Sequence, residues 1–315
     1  MTNIQPVANK MISLLTFSNQ TYNFSKKMLI RSAKKFGIKS IYAYSDKDFN
    51  KTTFYKQHIK IASQPRGAGY WIWKPYYILE HLRNAKEGEI LVYCDSGLKI
   101  VSPLDDLLTV FEESVSTTGI MLFHNYQSMS HMHPEMEKTL FNQTIESRKN
   151  RYWGKRDAFV LMGMDEERYW NSPQLEGCFG VFKKTDFSIK FLEEWLFWCC
   201  NEHVLTDSPN SQGKENLPNF VMHIHDQLIL SLLAEKYRLR LFRCASQFGN
   251  HLKLPQFREQ EEFCLLLYLE NPEVDSKFGT ILDHHRTKRM PFPKQQIFDL
   301  KVFLKEKLNK TGVKW

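Results

Sequence analysis

Cysteine is sparse and unpatterned: Cys94, Cys178, Cys199, Cys200, Cys244 and Cys264 include one vicinal pair and no Cys-x-x-Cys. Such spacing writes neither a zinc ribbon nor a disulfide framework, and free thiols in a reducing compartment fit it best. No secretory leader is legible. Residues 1–10 are polar, and the apolar stretch from Met11 to Phe17 is too short for a signal core with its cleavage site, or for a membrane span. The expectation is a cytoplasmic protein. A GxxxxGK[ST] loop is missing, which disfavours a P-loop NTPase. RNP-type motifs, zinc-finger spacing and Lys/Arg-rich tracts are missing too, which argues against nucleic acid as a partner. No internal repeat and no sharp break in composition marks a second domain.

What is present describes a globular chain. Of 315 residues, 42% are hydrophobic and 25% charged, enough to bury a sizeable core. Aromatics reach 14%; most belong in that core, and some suit platforms on which sugar rings stack. The net charge of +8 calls for a partner bearing negative charge. Apolar runs at Met11–Phe17, Ser40–Tyr44 and Glu89–Cys94 alternate with the helical pattern of Ser25–Phe36, which is the βαβ rhythm of a parallel sheet covered by helices. Ligands of open parallel sheets sit beyond the carboxyl ends of the strands, so Thr16, Ser18, Asn19, Ser45, Asp46 and Asp95 are expected around one cleft.

Farther along, 126–171 reads as long loops with short helices, Ser188–Cys200 as an apolar helix, and Thr206–Pro218 as a mobile loop. His225–Tyr237 returns to helical spacing, with Asp226 at its start, where an acidic residue suits the helix dipole. The segment 294–315 is a basic amphipathic helix. It is suited either to docking on the domain or to lying on an anionic membrane at its inner face.

Four local patterns carry potential chemistry. The first is Arg66-Gly67-Ala68-Gly69-Tyr70-Trp71-Ile72-Trp73-Lys74-Pro75, where glycines allow close backbone approach and Arg66 and Lys74 flank a helix start suited to phosphate. On the competing reading, the tryptophans plug the core and Lys74 is solvated. The second is the strand Glu89–Cys94 ending in Asp95-Ser96-Gly97, whose carboxylate suits either a divalent ion or a simple turn cap. The third and fourth, His223-Ile224-His225-Asp226-Gln227 and Asp283-His284-His285-Arg286, set histidine beside carboxylate, as a metal ligand or a general base requires.

In this order the patterns resemble the GT-A glycosyltransferases, especially bacterial and viral polysaccharide-type members with a G-x-G-Y-W-x-W-K-P block; the likeness covers roughly 11–290. The resemblance implies an α/β, Rossmann-like GT-A domain over 11–293, with a central, mostly parallel sheet flanked by helices. A nucleotide-sugar-binding half (11–125) and an acceptor-binding half (126–293) would follow an extension (1–10) and precede the C-terminal helix (294–315). It implies transfer of a hexose from a nucleotide-diphosphate sugar, a UDP-sugar such as UDP-galactose, to a saccharide or lipid-linked glycan in surface polysaccharide or lipopolysaccharide synthesis. The alternative is a non-catalytic nucleotide-sugar-binding protein of the same fold.

Carried onto this chain, the resemblance places the nucleotide base near Thr16, Ser18 and Asn19, and the diphosphate near Arg66, Lys74 and Arg286. Asp226 becomes the catalytic carboxylate with Glu176 as its competitor, Gly177 and Gln227 face the transferred sugar, and Trp153, Lys155 and Asp157 face the acceptor. The resemblance leaves either Mn2+ or Mg2+ on Asp95 with His284 or His285, beside Ser96, or a site that works without metal. The second carboxylate of the D-x-D motif is replaced by Gly97.

Overall fold

The structure is a computed structural model describing residues 11–125, 148–246 and 277–284. The C-terminal helix expected over 294–315, together with His285 and Arg286, lies outside the described residues. The architecture is the α/β one expected, a central and mostly parallel sheet flanked by helices. Its elements are β1 (Ile12–Ser18), α1 (Asn23–Lys35), β2 (Ser40–Ser45), α2 (Trp73–Asn84), β3 (Ile90–Cys94), β4 (Leu98–Ile100), α3 (Asp105–Val115), β5 (Ile120–Phe123), β6 (Phe179–Lys183), α4 (Asp186–Cys199), α5 (Asp226–Lys236), β7 (Leu241–Phe242) and β8 (Leu282–His284), joined by shorter helical turns.

The six-stranded sheet runs β2-β1-β3-β6-β5-β7, and β4 pairs with β8 in a separate ribbon. Parallel pairing joins β1 to β2, β1 to β3 and β5 to β7, while β6 runs against both β3 and β5. Because β6 lies between strands of the first half, residues from both halves of the chain build one sheet. Helices cover both faces, so the inner strands are continuously apolar instead of alternating with polar residues. Leu91 and Tyr93 of β3 join one core cluster with α2, α4 and α5, whereas Ile90, Val92 and Cys94 join the other with α1 and α3. That split is the two-residue period of a strand.

Local signals set the element ends. Helix α1 closes with Gly37 N–H donating to Lys34 O (3.2 Å) and Ile38 N–H to Ala33 O (3.0 Å), the reverse turn that a glycine at φ +88° permits. At the start of α4, Thr185 and Ser188 cap each other's backbone at 2.9 Å. No helix among the described residues is long and apolar enough to cross a membrane.

The glycine block before α2 is unusual. Gly67, Ala68, Gly69, Tyr70 and Trp71 have φ of +58°, +52°, +95°, +52° and +60°, so this helical turn winds left-handed. It is closed by Tyr70 N–H to Arg66 O (2.7 Å) and Trp71 N–H to Gly67 O (3.3 Å). Left-handed backbone costs about 1–2 kcal/mol for each residue bearing a Cβ. Packing offsets this: Trp73 stacks on Phe17 at 3.9 Å, and its indole N–H donates to Gly67 O at 2.9 Å.

Candidate functional site

On either side of β1 the chain leaves in opposite directions, to β2 and to β3, and such a switch point opens a crevice at the carboxyl ends of the strands. A cavity of about 440 Å3 occupies it. Its walls are Phe17 and Ser18 at the end of β1, Asn19, Thr21 and Tyr22 beyond it, Pro65, Gly67, Ala68, Trp71 and Trp73 around the left-handed turn, and Asp95, Ser96 and Gly97 after β3. Thr16 is fully buried within the strand and does not line it. Ser45 and Asp48 instead form the capping box of a helical turn that begins at Asp46, with the Ser45 hydroxyl donating to Asp48 at 2.6 Å.

Behind Asp95 lies a buried charge cluster. Lys74, in the first turn of α2, donates through Nζ to Asp226 Oδ2 (2.6 Å) and Gly177 O (2.8 Å), and stands 4.0 Å from Asp95. Lys74 and Asp226 each expose 4% of their side chains, so the ammonium is not solvated. Tyr93, two residues before Asp95, donates its hydroxyl to Asp95 Oδ1. Gln227 packs against Gly177, which could accept a Cβ only at 3.2 Å from the Gln227 Cβ. Widely separated parts of the sequence thus converge: Lys74, Asp95, Gly177, Asp226 and Gln227.

Burial disfavours the Lys74 ammonium, but Asp226 and Asp95 outweigh it and raise its pKa. Burial pushes Asp226 up to about 6 against the pull of Lys74. The backbone approach to Asp226 is strained, since His225 before it sits at φ +53°, with Nδ1 bonded to Leu205 O at 2.8 Å.

Glu176 lies deeper. Its Oε1 bonds His284 Nε2 (3.0 Å) and accepts from the Cys178 thiol (3.0 Å), while Oε2 accepts from the Cys244 thiol (2.5 Å). Burial would raise its pKa, but the bond and charge of His284, helped by the two thiols, lower it below the usual glutamate value. His284 reaches this place because β8 pairs with β4, with Leu98 opposite His284.

Other expected site residues lie elsewhere. Arg66 is exposed and pairs with Asp207 at 3.0 Å. Trp153 is 1% exposed, packed with Tyr152 against Val221, Met222 and Ile224, and Lys155 donates to Ser208 O at 2.6 Å. Asp157 accepts from Ser211 N–H (2.6 Å), Ser211 hydroxyl (2.8 Å) and Gln212 N–H (3.1 Å). The structure uses this segment to fasten the 206–218 stretch, so the loop expected to be mobile is anchored. Asp157→Ala is expected to cost about 1–3 kcal/mol by stranding those donors, and to open 206–212 to protease; urea unfolding and limited proteolysis check both. Burial is outweighed by these bonds and the Asp157 pKa falls below 3.8, so its contribution is present above that value and lost as pH falls through the lowered one.

Hard divalent ions such as Mn2+ or Mg2+ take several oxygen ligands. At Asp95 one carboxylate is available, one of its oxygens accepts Tyr93, and an ammonium stands 4.0 Å away. These residues do not make a two-carboxylate site for a hard cation.

Tyr93, Phe17 and Cys244 carry the site's geometry without a functional role expected of them from the sequence. Tyr93 had a usable signal, since it stands two residues before a marked carboxylate, Asp95, at the end of an apolar strand.

No family model and no curated protein matches the chain. Among solved structures it is similar to mouse xyloside xylosyltransferase 1 (9% identity, 89% of this chain and 99% of that one, TM-score 0.43). It is also similar to the galactosyltransferase LgtC (9%, 87% and 87%, TM-score 0.39) and to the bifunctional glycosyltransferase WbbM (11%, 91% and 48%, TM-score 0.46). Likenesses at this identity and TM-score carry nothing about donor, acceptor or pathway.

Proposed function

We propose that the protein is a GT-A glycosyltransferase that moves a hexose from a nucleotide-diphosphate sugar to a saccharide or lipid-linked glycan, with a UDP-sugar such as UDP-galactose as donor, in surface polysaccharide or lipopolysaccharide synthesis. The observation that carries this reading is the crevice itself, where the end of β1, the turn before Lys74 and the Asp95 turn enclose one cavity against a buried Lys74–Asp226 pair. Its size suits a nucleotide-sized ligand, with aromatic walls for flat rings and a few polar groups to orient them. Phe17, Trp71 and Trp73 face the base or sugar, while Ser18, Asn19 and Ser96 supply hydrogen bonds.

Lys74 and Asp226 both sit behind Asp95, outside the cavity lining; Lys74 holds the two carboxylates in place, and the acceptor reaches Asp226 past Gly177 and Gln227. Asp226 is favoured over Glu176 as the group that takes the acceptor's proton. A carboxyl near 6 exchanges protons at working pH, whereas Glu176, despite its burial, is held below the usual glutamate range by His284. Gly177 and Gln227 border the transferred sugar in this reading, and the domain spans 11–293.

A donor panel that reads released nucleotide tests the proposal. Asp95→Ala and Asp226→Asn are each expected to lower kcat/KM at least about 100-fold with far-UV circular dichroism intact. In the wild type kcat/KM rises with pH through about 6 as Asp226 loses its proton, and Asp226→Asn lacks that limb. Full turnover in both variants would remove the assignment. Donor binding without turnover by the wild type would point to the non-catalytic alternative.

A further inference from the structure

The Glu176 cluster is not used by the proposed transfer. We propose that Glu176, Cys178 and His284 form a site for one thiophilic divalent cation of the zinc type. Their ligand atoms all lie within 4.8 Å of one another. Around tetrahedral zinc, bond lengths of about 2.0–2.3 Å put ligand atoms roughly 3.3–3.7 Å apart. The present separations of 3.0 Å from Glu176 Oε1 to both His284 Nε2 and Cys178 Sγ need to open by only a few tenths of an ångström.

The placement is built by the fold. Glu176 and Cys178 stand two residues apart in the turn before β6, which brings the Cys178 thiol to 3.0 Å from Glu176 Oε1. The β4–β8 ribbon delivers His284 from the far end of the described chain. Glu176 is 5% exposed, and a buried carboxylate needs strong compensation. Two of its three partners are thiols, which are weak donors, so a cation explains the arrangement better than the hydrogen bonds do.

Thiolate ligation selects Zn2+, Co2+ or Cd2+ over Mg2+ and Ca2+. On binding, the Cys178 S–H proton leaves for solvent, the thiolate and the Glu176 carboxylate balance the two positive charges, and neutral His284 adds no charge. Cys178 and His284 are each partly exposed, which leaves the fourth position to solvent. Cys244 orients the carboxylate through Oε2, as a positioning residue behind the ligands. Asp95 N–H donates to Cys178 O at 2.7 Å, so occupancy would also stiffen the cavity floor.

The test is titration of chelator-stripped, full-chain protein with Co2+. One equivalent is expected to raise a thiolate-to-cobalt charge-transfer band in the near ultraviolet and tetrahedral d–d bands in the visible. Both should be bleached by one equivalent of Zn2+ and untouched by excess Mg2+. Cys178→Ser removes the charge-transfer band, His284→Gln weakens Co2+ binding at least about 10-fold, and Cys200→Ser, beside His58, changes neither. Because Cys178→Ser also removes a buried contact, the wild type gives a second readout: bound Zn2+ shields Cys178 from alkylation, mapped by mass spectrometry. No charge-transfer band in the wild type, or one that survives in folded Cys178→Ser, overturns the proposal. Donor binding measured on the same samples reports separately on the transferase reading.

Discussion

Lys74→Met is expected to lower the unfolding free energy by about 3–5 kcal/mol at pH 8, the cost of leaving a buried charge without its partner. Asp226 exposes 4% of its side chain and has Lys74 at 2.6 Å, with Asp95 close enough to disfavour a second negative charge. Without the ammonium, Asp226 must hold a proton, so the deficit shrinks as pH falls. In the wild type the Asp226 pKa is raised from 3.8 to about 6, so this carboxyl's contribution to stability is complete below 3.8 and fades as pH rises through 6. Lys74, raised above 10.5, contributes below that value and loses its contribution as pH rises through the higher one. The double variant Lys74→Met, Asp226→Leu removes both charges and is expected to regain most of the loss while remaining inactive. Urea unfolding of the four proteins gives the coupling directly. A single variant within about 1 kcal/mol of the wild type at pH 8 would mean that Lys74 does not balance Asp226.

The strands and the strand-end chemistry were legible in the sequence because burial on both sheet faces leaves continuous apolar runs. Glu89–Cys94 was read as a strand ending in Asp95, and β3 with Asp95 on the cavity wall is what the fold contains. The start of α5 was legible at Asp226 for the same local reason, an acidic residue before helical spacing. What Lys74 touches was not legible. Its partners lie 103 and 152 residues away, and no local pattern separates a phosphate-facing lysine from one buried against aspartate. The contacts of Lys155 and Asp157 were not legible for the same reason: they satisfy a loop about fifty residues downstream, where sequence spacing carries no signal. The thiols around Glu176 were hidden because Cys178 and Cys244 have no metal-motif spacing and meet only through tertiary packing.

Gly69→Val is expected to cost roughly 2–5 kcal/mol, combining left-handed backbone with overpacking. Gly69 sits at φ +95°, and a Cβ there would lie 2.7 Å from Ala62 O and 2.8 Å from Ala62 Cα. Those are backbone atoms in a helical turn and cannot swing aside as a side-chain tip does. Gly37 supplies the control: φ is +88° but nothing lies within 4 Å of a Cβ, so Gly37→Val pays the backbone term without the clash. The difference between the two variants isolates the close approach that lets the left-handed turn fit. Trp71 and Trp73 report the same event, since Trp71 lines the cavity and lies near-parallel to His225 at 5.6 Å, while Trp73 stacks on Phe17. Near-ultraviolet circular dichroism should therefore change in Gly69→Val and not in Gly37→Val, with donor affinity falling alongside it because the moved turn is a cavity wall. Equal losses from both substitutions would show that the turn tolerates a side chain at 69 and that its handedness is not fixed by contact with Ala62.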